Sequence, residues 1–323
     1  VDVVTGFSDS SPQAAAALST LVSRGYVTAG HYSRIENMPM QSITVGFSQT
    51  MLFVGSGPYF VDSNGDGKIT PADVPSPDAV GFAVDNLDLA LAIYTDTEFK
   101  VVPRLWALSA TVDKVGMVGM DFLTLEANQV HISANQGSAW KNTTIEPYVD
   151  FRSTYGPSGL SVATGGTPIA LDYDSPLIGV YVGQATLQIS QFVFVQGGFA
   201  FEQGRRQRIT IDTGAKFGDL TFLGTAATLM VTQPMTGAEL SSDWRTVSNL
   251  EVETMTLGIK DANVFVGYGI PDFNSQTPIA DQQNVFGLAV ADVDVALAIM
   301  KPTGMLADKA PKFTALKASA REF

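Results

Sequence analysis

The feature that most constrains the fold of this chain is an internal repeat with a long period. The segment GFAVDNLDLALAI, residues 81–93, matches GLAVADVDVALAI, residues 287–299, without a gap. Upstream, FVGSG at Phe53 matches FVGYG at Phe265, 212 residues later. Such self-similarity is the signature of repeating architectures, in which each unit packs mainly on its neighbours. We therefore predict a non-repeating segment over residues 1–42, a first unit over 43–254 and a partial second unit over 255–323.

Most of the sequence alternates between apolar and other residues and is punctuated by glycine, as in ATLQISQFVFVQGGFAFEQG, residues 185–204. Period-two alternation predicts strands. One helix is predicted near the start, where Ser11 can act as the N-cap, Pro12 occupies the first turn and Gly25 can end it. The predicted fold is all-β: a β-solenoid-like or stacked β-sandwich repeat architecture with long two-sided sheets and one short N-terminal helix.

Both copies of the repeat share a fault in the alternation. Phe82 and Val84 are apolar on even positions, whereas the apolar residues from Leu87 onward fall on odd positions. A slip of one residue moves side chains to the other face of a sheet unless a β-bulge absorbs it. We therefore predict a bend at Asp85–Asn86 and at the same place in the second copy. The residues that then point to the opposite face are small, which predicts a covering layer there and a sheet covered on both sides: Ala90, Ala92, Ala296 and Ala298.

Composition excludes several classes of function. The formal net charge is -13, which repels phosphate backbones and anionic lipid surfaces, so no nucleic-acid partner is expected. The absence of cysteine rules out disulfides and thiolate metal sites. No apolar run approaches the ~18 residues that a membrane-spanning helix needs, so no membrane span is predicted.

The segment VDSNGDGKITPADV, residues 61–74, predicts a calcium site. A calcium loop of the EF-hand type places oxygen ligands at positions 1, 3, 5, 7, 9 and 12 and glycine at position 6. Gly67 occupies the turn, and the pattern is similar to the loop of dockerin-type modules. The alternative is a solvated turn, since Asn-Gly and Asp-Gly are common turn formers. The predicted ligands are Asp62, Asn64, Asp66, the carbonyl of Lys68, Thr70 and Asp73.

The second copy of the repeat lacks this ligand series. Between the matched glycines Gly269 and Gly287 it carries IPDFNSQTPIADQQNVF instead. Because the strands repeat and the loop does not, we expect Ca²⁺ to stabilise one place and not to be required by the fold.

Candidate catalytic groups are few. Asp212-Thr213-Gly214 resembles half of an aspartic-protease site, but a second such motif, which the shared proton requires, is missing. Asp172 and Asp174 point the same way from one strand and could form a carboxylate pair. We expect structural roles for these groups and predict no enzyme activity. The same applies to the two histidines and the three tryptophans: His31, His131, Trp106, Trp140 and Trp244. The basic cluster Glu202–Arg208 is predicted to be a solvated turn between strands, and contact with an anion or a polysaccharide is the alternative.

Together, residues 81–93, LWALSATVDKVGMVGMDFLTLEANQVHISAN (105–135), residues 185–204 and FVGSGPYFVDSNGDGKITPAD (53–73) resemble the β-rich tandem repeats of very large secreted bacterial surface proteins of the adhesin or RTX-like kind. The resemblance implies an extracellular or cell-surface location and a structural, adhesive role without catalysis. Expected partners are copies of the chain or neighbouring repeats, joined through terminal strands such as residues 312–320. The alternative is a module that binds or hydrolyses extracellular polysaccharide.

Overall fold

The structure is a computed structural model that describes residues 1–9, 11–70, 73–214, 238–242, 245–303, 306 and 310–322. Strands dominate it, and the expectation of an all-β chain is confirmed. Among the described residues there are three short α-helices and one short 3₁₀ helix, none of them long and apolar enough to cross a membrane.

The helices are α1 (Pro12–Ala17), α2 (Ser19–Ser23) and α3 (Phe151–Tyr155), and the 3₁₀ helix covers Ile279–Asp281. The strands are β1 (Val3–Val4), β2 (Arg34–Ile35), β3 (Gln41–Ser56), β4 (Phe60–Val61), β5 (Val74–Pro75), β6 (Val80–Thr95), β7 (Leu105–Val118), β8 (Leu123–Gly137), β9 (Tyr148–Val149), β10 (Leu160–Val162), β11 (Ile169–Leu171), β12 (Leu177–Ile189), β13 (Val193–Asp212), β14 (Glu239–Leu240), β15 (Thr246–Tyr268), β16 (Phe286–Pro302) and β17 (Phe313–Ser319).

The predicted N-terminal helix is present but divided. Ser11 caps α1 by accepting a hydrogen bond from the Ala14 N–H at 3.2 Å, and Pro12 occupies the first helical position, as predicted. The helix is interrupted at Leu18, whose φ of -100° and ψ of 6° separate α1 from α2. Leu18 and Leu21 are fully buried, so tertiary packing of these two side chains accompanies the break.

The long strands form one antiparallel sheet in the order β17-β16-β15-β13-β12-β8-β7-β6-β3, with β14 added beside β15. Neighbours in this order are also consecutive long strands of the chain, so the sheet is an antiparallel meander. Its two outer strands, β3 and β17, each pair on one side only among the described residues.

The sequence repeat is also a structural repeat in the same register. In the first copy Ile43 pairs with Ile93 and Phe53 with Ala83. In the second copy the corresponding pairs are Met255 with Ile299 and Phe265 with Ala289. The third strand follows the same rule, because Leu91 pairs with Leu108 in β7 and Leu297 pairs with Leu316 in β17. The unit β3-β6-β7 therefore recurs as part of β15 with β16 and β17.

The predicted bends are confirmed and belong to a bulge line that crosses the sheet. Asn86 has φ of 54° and its counterpart Asp292 has φ of 50°, a left-handed conformation for which polar residues are enriched. Pairing registers shift at both places. Three more long strands carry a left-handed residue at their own crossing of the line: Gln49, Gln129 and Asp261.

Because the bulges absorb the slip, the large apolar side chains stay on one face of the sheet, which we call the open face. One row of cross-strand partners runs over all nine strands of the sheet path: Phe47, Leu89, Ala110, Ile132, Val180, Phe201, Leu257, Leu297 and Leu316. Every member is apolar. Phe47 is 45% exposed and Leu316 is 67% exposed, so no layer covers the two ends of this row.

The adjacent row lies on the other side of the sheet, which we call the second face, and it is made of small and polar residues: Gly46, Ala90, Ser109, Ser133, Gly179, Glu202, Thr256, Ala298 and Ala315. Over β6 and β7 this face is covered by α1, α2, α3 and the short strands. Ala90 and Ala92 are fully buried there, against Leu18, Leu21 and Phe151 among others. The described residues that form a second layer here pack on the second face. Among the described residues, the expectation of a sheet covered on both sides is therefore met on this face only.

Candidate functional site: a charged cleft

A cleft of about 1040 Å³ lies on the second face beside the covering layer. Strands β8, β12, β13 and β15 form its floor, and residues of β1, β2, β9 and α3 with the segment 172–175 form its wall. Small floor residues make room for it, since Ser133 and Gly179 face each other across β8 and β12. Four arginines line the cleft, although the whole chain has only 19 lysines and arginines: Arg34, Arg152, Arg205 and Arg206.

Three of these arginines are held by carboxylates. Arg34 pairs with Asp150, the N-cap of α3, whose carboxylate also accepts from the Ser153 N–H at 2.9 Å. Partial burial alone would raise the pKa of Asp150, but the hydrogen bonds from Ser153 and Arg34 outweigh it and hold that pKa below its usual range. Asp150 is therefore a fixed anion that orients Arg34.

Arg152 binds Asp172 and Asp174, the two residues that could form a carboxylate pair according to the sequence. Its guanidinium nitrogens lie 2.9 Å from Asp172 and 3.4 Å from Asp174. The hydrogen bond to Asp172 and the charges of both aspartates raise the pKa of Arg152. Both carboxylates are thus held by one guanidinium, which fixes the segment 172–175 against α3.

The remaining pair is Arg205 with Glu202, at 2.7 Å, while Arg206 stands apart. The Arg206 side chain forms no ion pair and donates no hydrogen bond to any described residue. Its Nε is buried without a partner. Such an atom calls for an explanation, because a buried donor without an acceptor destabilises a fold by about 1–3 kcal/mol.

Aromatic side chains complete the lining. Burial raises the pKa of Tyr148, opposed by the charge of Arg206, and burial also raises the pKa of Tyr173. Both hydroxyls therefore stay protonated and can donate. Tyr181 is 49% exposed and meets the ring of His131 edge-on, with ring centroids 5.8 Å apart. The cleft thus offers cationic donors, carboxylate acceptors and ring surfaces within one space.

The cleft contains residues from several distant parts of the sequence. Asp172 and Asp174, His131, and the turn Glu202–Arg208 were separate candidates, and strand register brings members of all three together. The pairing of β8 with β12 and of β12 with β13 is what joins them. The prediction of a turn at Glu202–Arg208 was wrong, because these residues lie within β13, where they pair with β15. Sequence alternation does not identify the partner of a strand, so the cleft was not predicted.

The other candidates lie elsewhere. His31 pairs with Asp9 on the surface at 3.6 Å. The Asp-Thr-Gly motif ends β13 in a turn, where Asp212 accepts from the Gly214 N–H at 2.8 Å. Trp140 is buried and donates to the Thr5 carbonyl at 2.8 Å, which is a structural role. Trp106 lies in β7, opposite Ile93 on the open face, and Trp244 lies outside the described residues.

The predicted calcium loop connects β4 to β5, and Pro71 and Ala72 within it lie outside the described residues. Its carboxylates accept backbone N–H groups. Asp62 accepts from Gly65 at 2.7 Å and from Gly67 at 2.9 Å. The Thr70 and Ser63 N–H groups hold the pKa of Asp73 below its usual range, more than desolvation raises it. In the described part of the chain no three His, Cys, Asp or Glu side chains are gathered closely enough to hold a metal ion.

The donor set of this loop nevertheless suits calcium chemically. Asp62, Asn64, Asp66, Thr70 and Asp73 supply oxygen atoms, the ligand type that Ca²⁺ prefers. Asn64 accepts from the Asp66 N–H and Asp66 from the Lys68 N–H, both at 2.8 Å, so the loop is turned tightly by its own side chains.

The open face carries an apolar trough of about 540 Å³ along the bulge line. Residues of seven neighbouring strands, β6 to β16, line it. The trough is deep because its floor residues are small: Ala127, Ala185 and Gly197.

Comparison of the chain with known protein families, with curated proteins and with solved structures finds no match in any of the three.

Proposed function

We propose that this chain is an extracellular or cell-surface structural and adhesive repeat module, whose sheet stacks on, or continues into, other sheets of its own kind. The observation that carries the proposal is the register of the repeat. Because β15-β16-β17 repeats the pairing of β3-β6-β7, the sheet returns to its own starting pattern across its width. A sheet with this property can be extended by adding units, as in other repeat proteins.

The two outer strands supply the edges for such extension. In the second unit, the position of β3 is taken by β15, which pairs with β13 on its other side. In the first unit, the position of β17 is taken by β7, which pairs with β8. Among the described residues, the outer edges of β3 and β17 are unpaired, whereas the equivalent edges of β15 and β7 are paired within this chain. Exposed, unpaired edges template pairing with another strand.

The open face supplies the surface for stacking. Nine strands at ~4.8 Å spacing, each with about eleven residues at ~3.3 Å per residue, give it an area of roughly 1,600 Å². Apolar patches on monomers are usually limited to a few hundred Å², and a standard interface buries ~800 Å² on each partner. The occupant that fits best is a second sheet of the same kind, packed ~10 Å away as in a sandwich. This would give the stacked β-sandwich expected from the sequence.

Calcium has a local place in this proposal. The loop ligands would hold the ion between β4 and β5, where it would fix the connection from β3 to β6. The second unit has the 3₁₀ helix Ile279–Asp281 in its connection and no such ligand series.

Sedimentation velocity over a wide concentration range tests the proposal, together with hydrogen exchange of the β3 and β17 amides. We expect self-association that weakens when Leu316, on the open face, is replaced by Glu. Ala315→Glu is the matched control, since Ala315 is exposed on the same strand but points to the second face. The proposal fails if the native chain stays monomeric at every concentration while both outer strands are already protected from exchange.

A further inference from the structure

Arg206 is the unexplained group of the charged cleft. Its guanidinium has five N–H donors, and none of them meets an acceptor among the described residues. The nearby Arg34, Arg152 and Arg205 differ, because each already has a carboxylate. A guanidinium without a partner, at the wall of a cleft and with its Nε buried, is arranged to receive an acceptor from outside the chain. Its planar fork matches carboxylate geometry in a bidentate manner.

The surrounding charges limit what that acceptor can belong to. Five carboxylates line the cleft against four arginines: Asp150, Asp172, Asp174, Glu202 and Glu251. Their excess negative charge disfavours a polyanion such as a nucleic acid or a polyphosphate. Glu251 accepts from the Thr303 hydroxyl at 2.9 Å and carries no ion pair among the described residues. A ligand that fits these charges carries one anionic group, placed at Arg206, and is otherwise neutral.

The rest of the lining suits hydroxyl groups on a ring. Ser133, Ser175 and Thr256 can donate and accept, and the cleft carboxylates can accept from hydroxyls. Tyr181 presents a half-exposed ring beside His131, a surface on which an apolar ring face can pack. The volume of about 1040 Å³ is large enough for more than one sugar ring.

We propose that the cleft binds a saccharide chain carrying one carboxylate per recognised unit, with that carboxylate held by the Arg206 guanidinium. The inference rests on the adhesive part of the proposed function and names its ligand class, an acidic extracellular glycan. Arg34, Arg152 and Arg205 are positioning residues, because their ion pairs fix the wall around the ligand. The Tyr148 hydroxyl stays protonated and serves as a neutral donor, whereas the Tyr173 hydroxyl donates to the Leu108 carbonyl at 3.0 Å and holds that ring in the wall.

Isothermal titration calorimetry on the full chain tests this inference with four probes: glucuronosyl-cellobiose, a trisaccharide with one carboxylate, its neutral counterpart cellotriose, sodium acetate and inorganic phosphate. The variants are Arg206→Met, which keeps the apolar stem, and Arg206→Lys, which keeps the charge but loses the fork. Arg208→Met is the matched control, since Arg208 lies on the same strand, β13, but does not line the cleft. Circular dichroism melts of each variant check that the fold is kept.

We expect glucuronosyl-cellobiose to bind, with a loss of at least tenfold in affinity for Arg206→Met, a smaller loss for Arg206→Lys and no change for Arg208→Met. Tyr181→Ala should weaken glucuronosyl-cellobiose binding and leave the response to acetate unchanged. The inference is overturned if glucuronosyl-cellobiose does not bind, if cellotriose binds equally well, or if Arg206→Met binds like the native chain. It is also overturned if acetate or phosphate binds as tightly as the trisaccharide. All titrations are made at protein concentrations at which the chain does not self-associate. Their outcome then does not depend on whether the stacking proposal is correct.

Discussion

The two copies of the repeat have the same strand pairing but different surroundings. Ala90 and Ala92 of the first copy are fully buried under the helical layer. Their counterparts Ala296 and Ala298 occupy the same register beside β15 and β17, yet Ala296 is exposed and Ala298 only half-buried. Small residues at these positions are therefore a property of the repeat, whereas the helical layer over Ala90 and Ala92 comes from residues outside it.

This difference shows what the alternating pattern encodes. The pattern determines strand, register and face, because cross-strand partners and period-two alternation act within the repeat. In the first copy, the residues that lie against this face come from residues 1–42 and from the segment between β8 and β12. Beside the second copy, Met300 and Phe313 pack instead against a smaller buried cluster that includes Val252 and Leu306. The repeat therefore determines the strands and their register, whereas the residues that pack on each copy come from different parts of the chain.

The largest expected effect comes from placing a charge at the equivalent alanine of each copy. Ala90→Asp puts an unpaired carboxylate into a fully buried site and should lower the free energy of unfolding by about 4 kcal/mol or more. Ala296→Asp should change it by less than about 0.5 kcal/mol, because the site is exposed and Lys317 lies opposite on β17. Urea denaturation of both variants measures the pair. Equal losses would mean that both copies are covered in solution.

One phenylalanine of the repeat shows the opposite difference, because it is more deeply buried in the second copy than in the first. Phe265 is fully buried because β15 has neighbours on both sides, pairing with Phe194 and Ala289. Its counterpart Phe53 lies on the outer strand β3 and is only partly buried. Phe265→Ala should destabilise the chain by about 3–5 kcal/mol. Phe53→Ala should cost about 1–2 kcal/mol, because less of its area is buried.

Thermal melts of both phenylalanine variants, followed by circular dichroism, provide the measurement. Phe53 also stacks on Tyr59, with ring centroids 5.0 Å apart, so Tyr59→Ala is a useful control for that contact. A loss for Phe53→Ala as large as that for Phe265→Ala would contradict the view of β3 as an open edge, and would indicate that another strand covers it.

The elements that could be predicted from the sequence are those with a local signal. Ser11 and Pro12 began α1 as expected, and the slip at Asp85–Asn86 correctly predicted a bulge, since both features depend on neighbouring residues. The repeat placed the strands of both copies in one common register. Such signals survive because hydrogen-bond geometry and alternation are decided within a few residues.

The charged cleft and the one-sided cover could not be predicted in this way. Arg152, Asp172 and Arg206 are far apart in the chain and meet only because β8, β12 and β13 are adjacent and α3 packs beside them. The order of strands and the placement of α3 are long-range outcomes of packing. The same reason applies to the open face, because an apolar row predicts burial without saying which molecule covers it.

The calcium loop, present in one copy only, predicts an effect of intermediate size. If Ca²⁺ binds only the folded chain, an excess of one hundred times its dissociation constant stabilises that state by about 2.7 kcal/mol. Calcium should then raise the melting temperature of the native chain relative to EDTA and leave Asp66→Ala unaffected. Asp272→Ala, in the corresponding connection of the second copy, is the control and should keep the full response. If calcium does not raise the melting temperature of the native chain, the loop is a solvated turn and not a calcium site.

The smallest expected effect tests whether the bulges belong to the repeat itself. In the first copy Asp88 accepts from the Gln49 N–H at 2.8 Å, and in the second Asp294 accepts from the Asp261 N–H at 3.1 Å. Asp88→Ala and Asp294→Ala should each cost about 0.5–1.5 kcal/mol, the usual contribution of one hydrogen bond. Asp→Asn at either position keeps an acceptor oxygen and should recover most of the loss in urea denaturation. Because both bonds hold left-handed residues at matched positions, similar losses would show that the bulge is stabilised independently of the covering layer. A loss confined to Asp88→Ala would mean that the layer over the first copy, and not the repeat, maintains the bend.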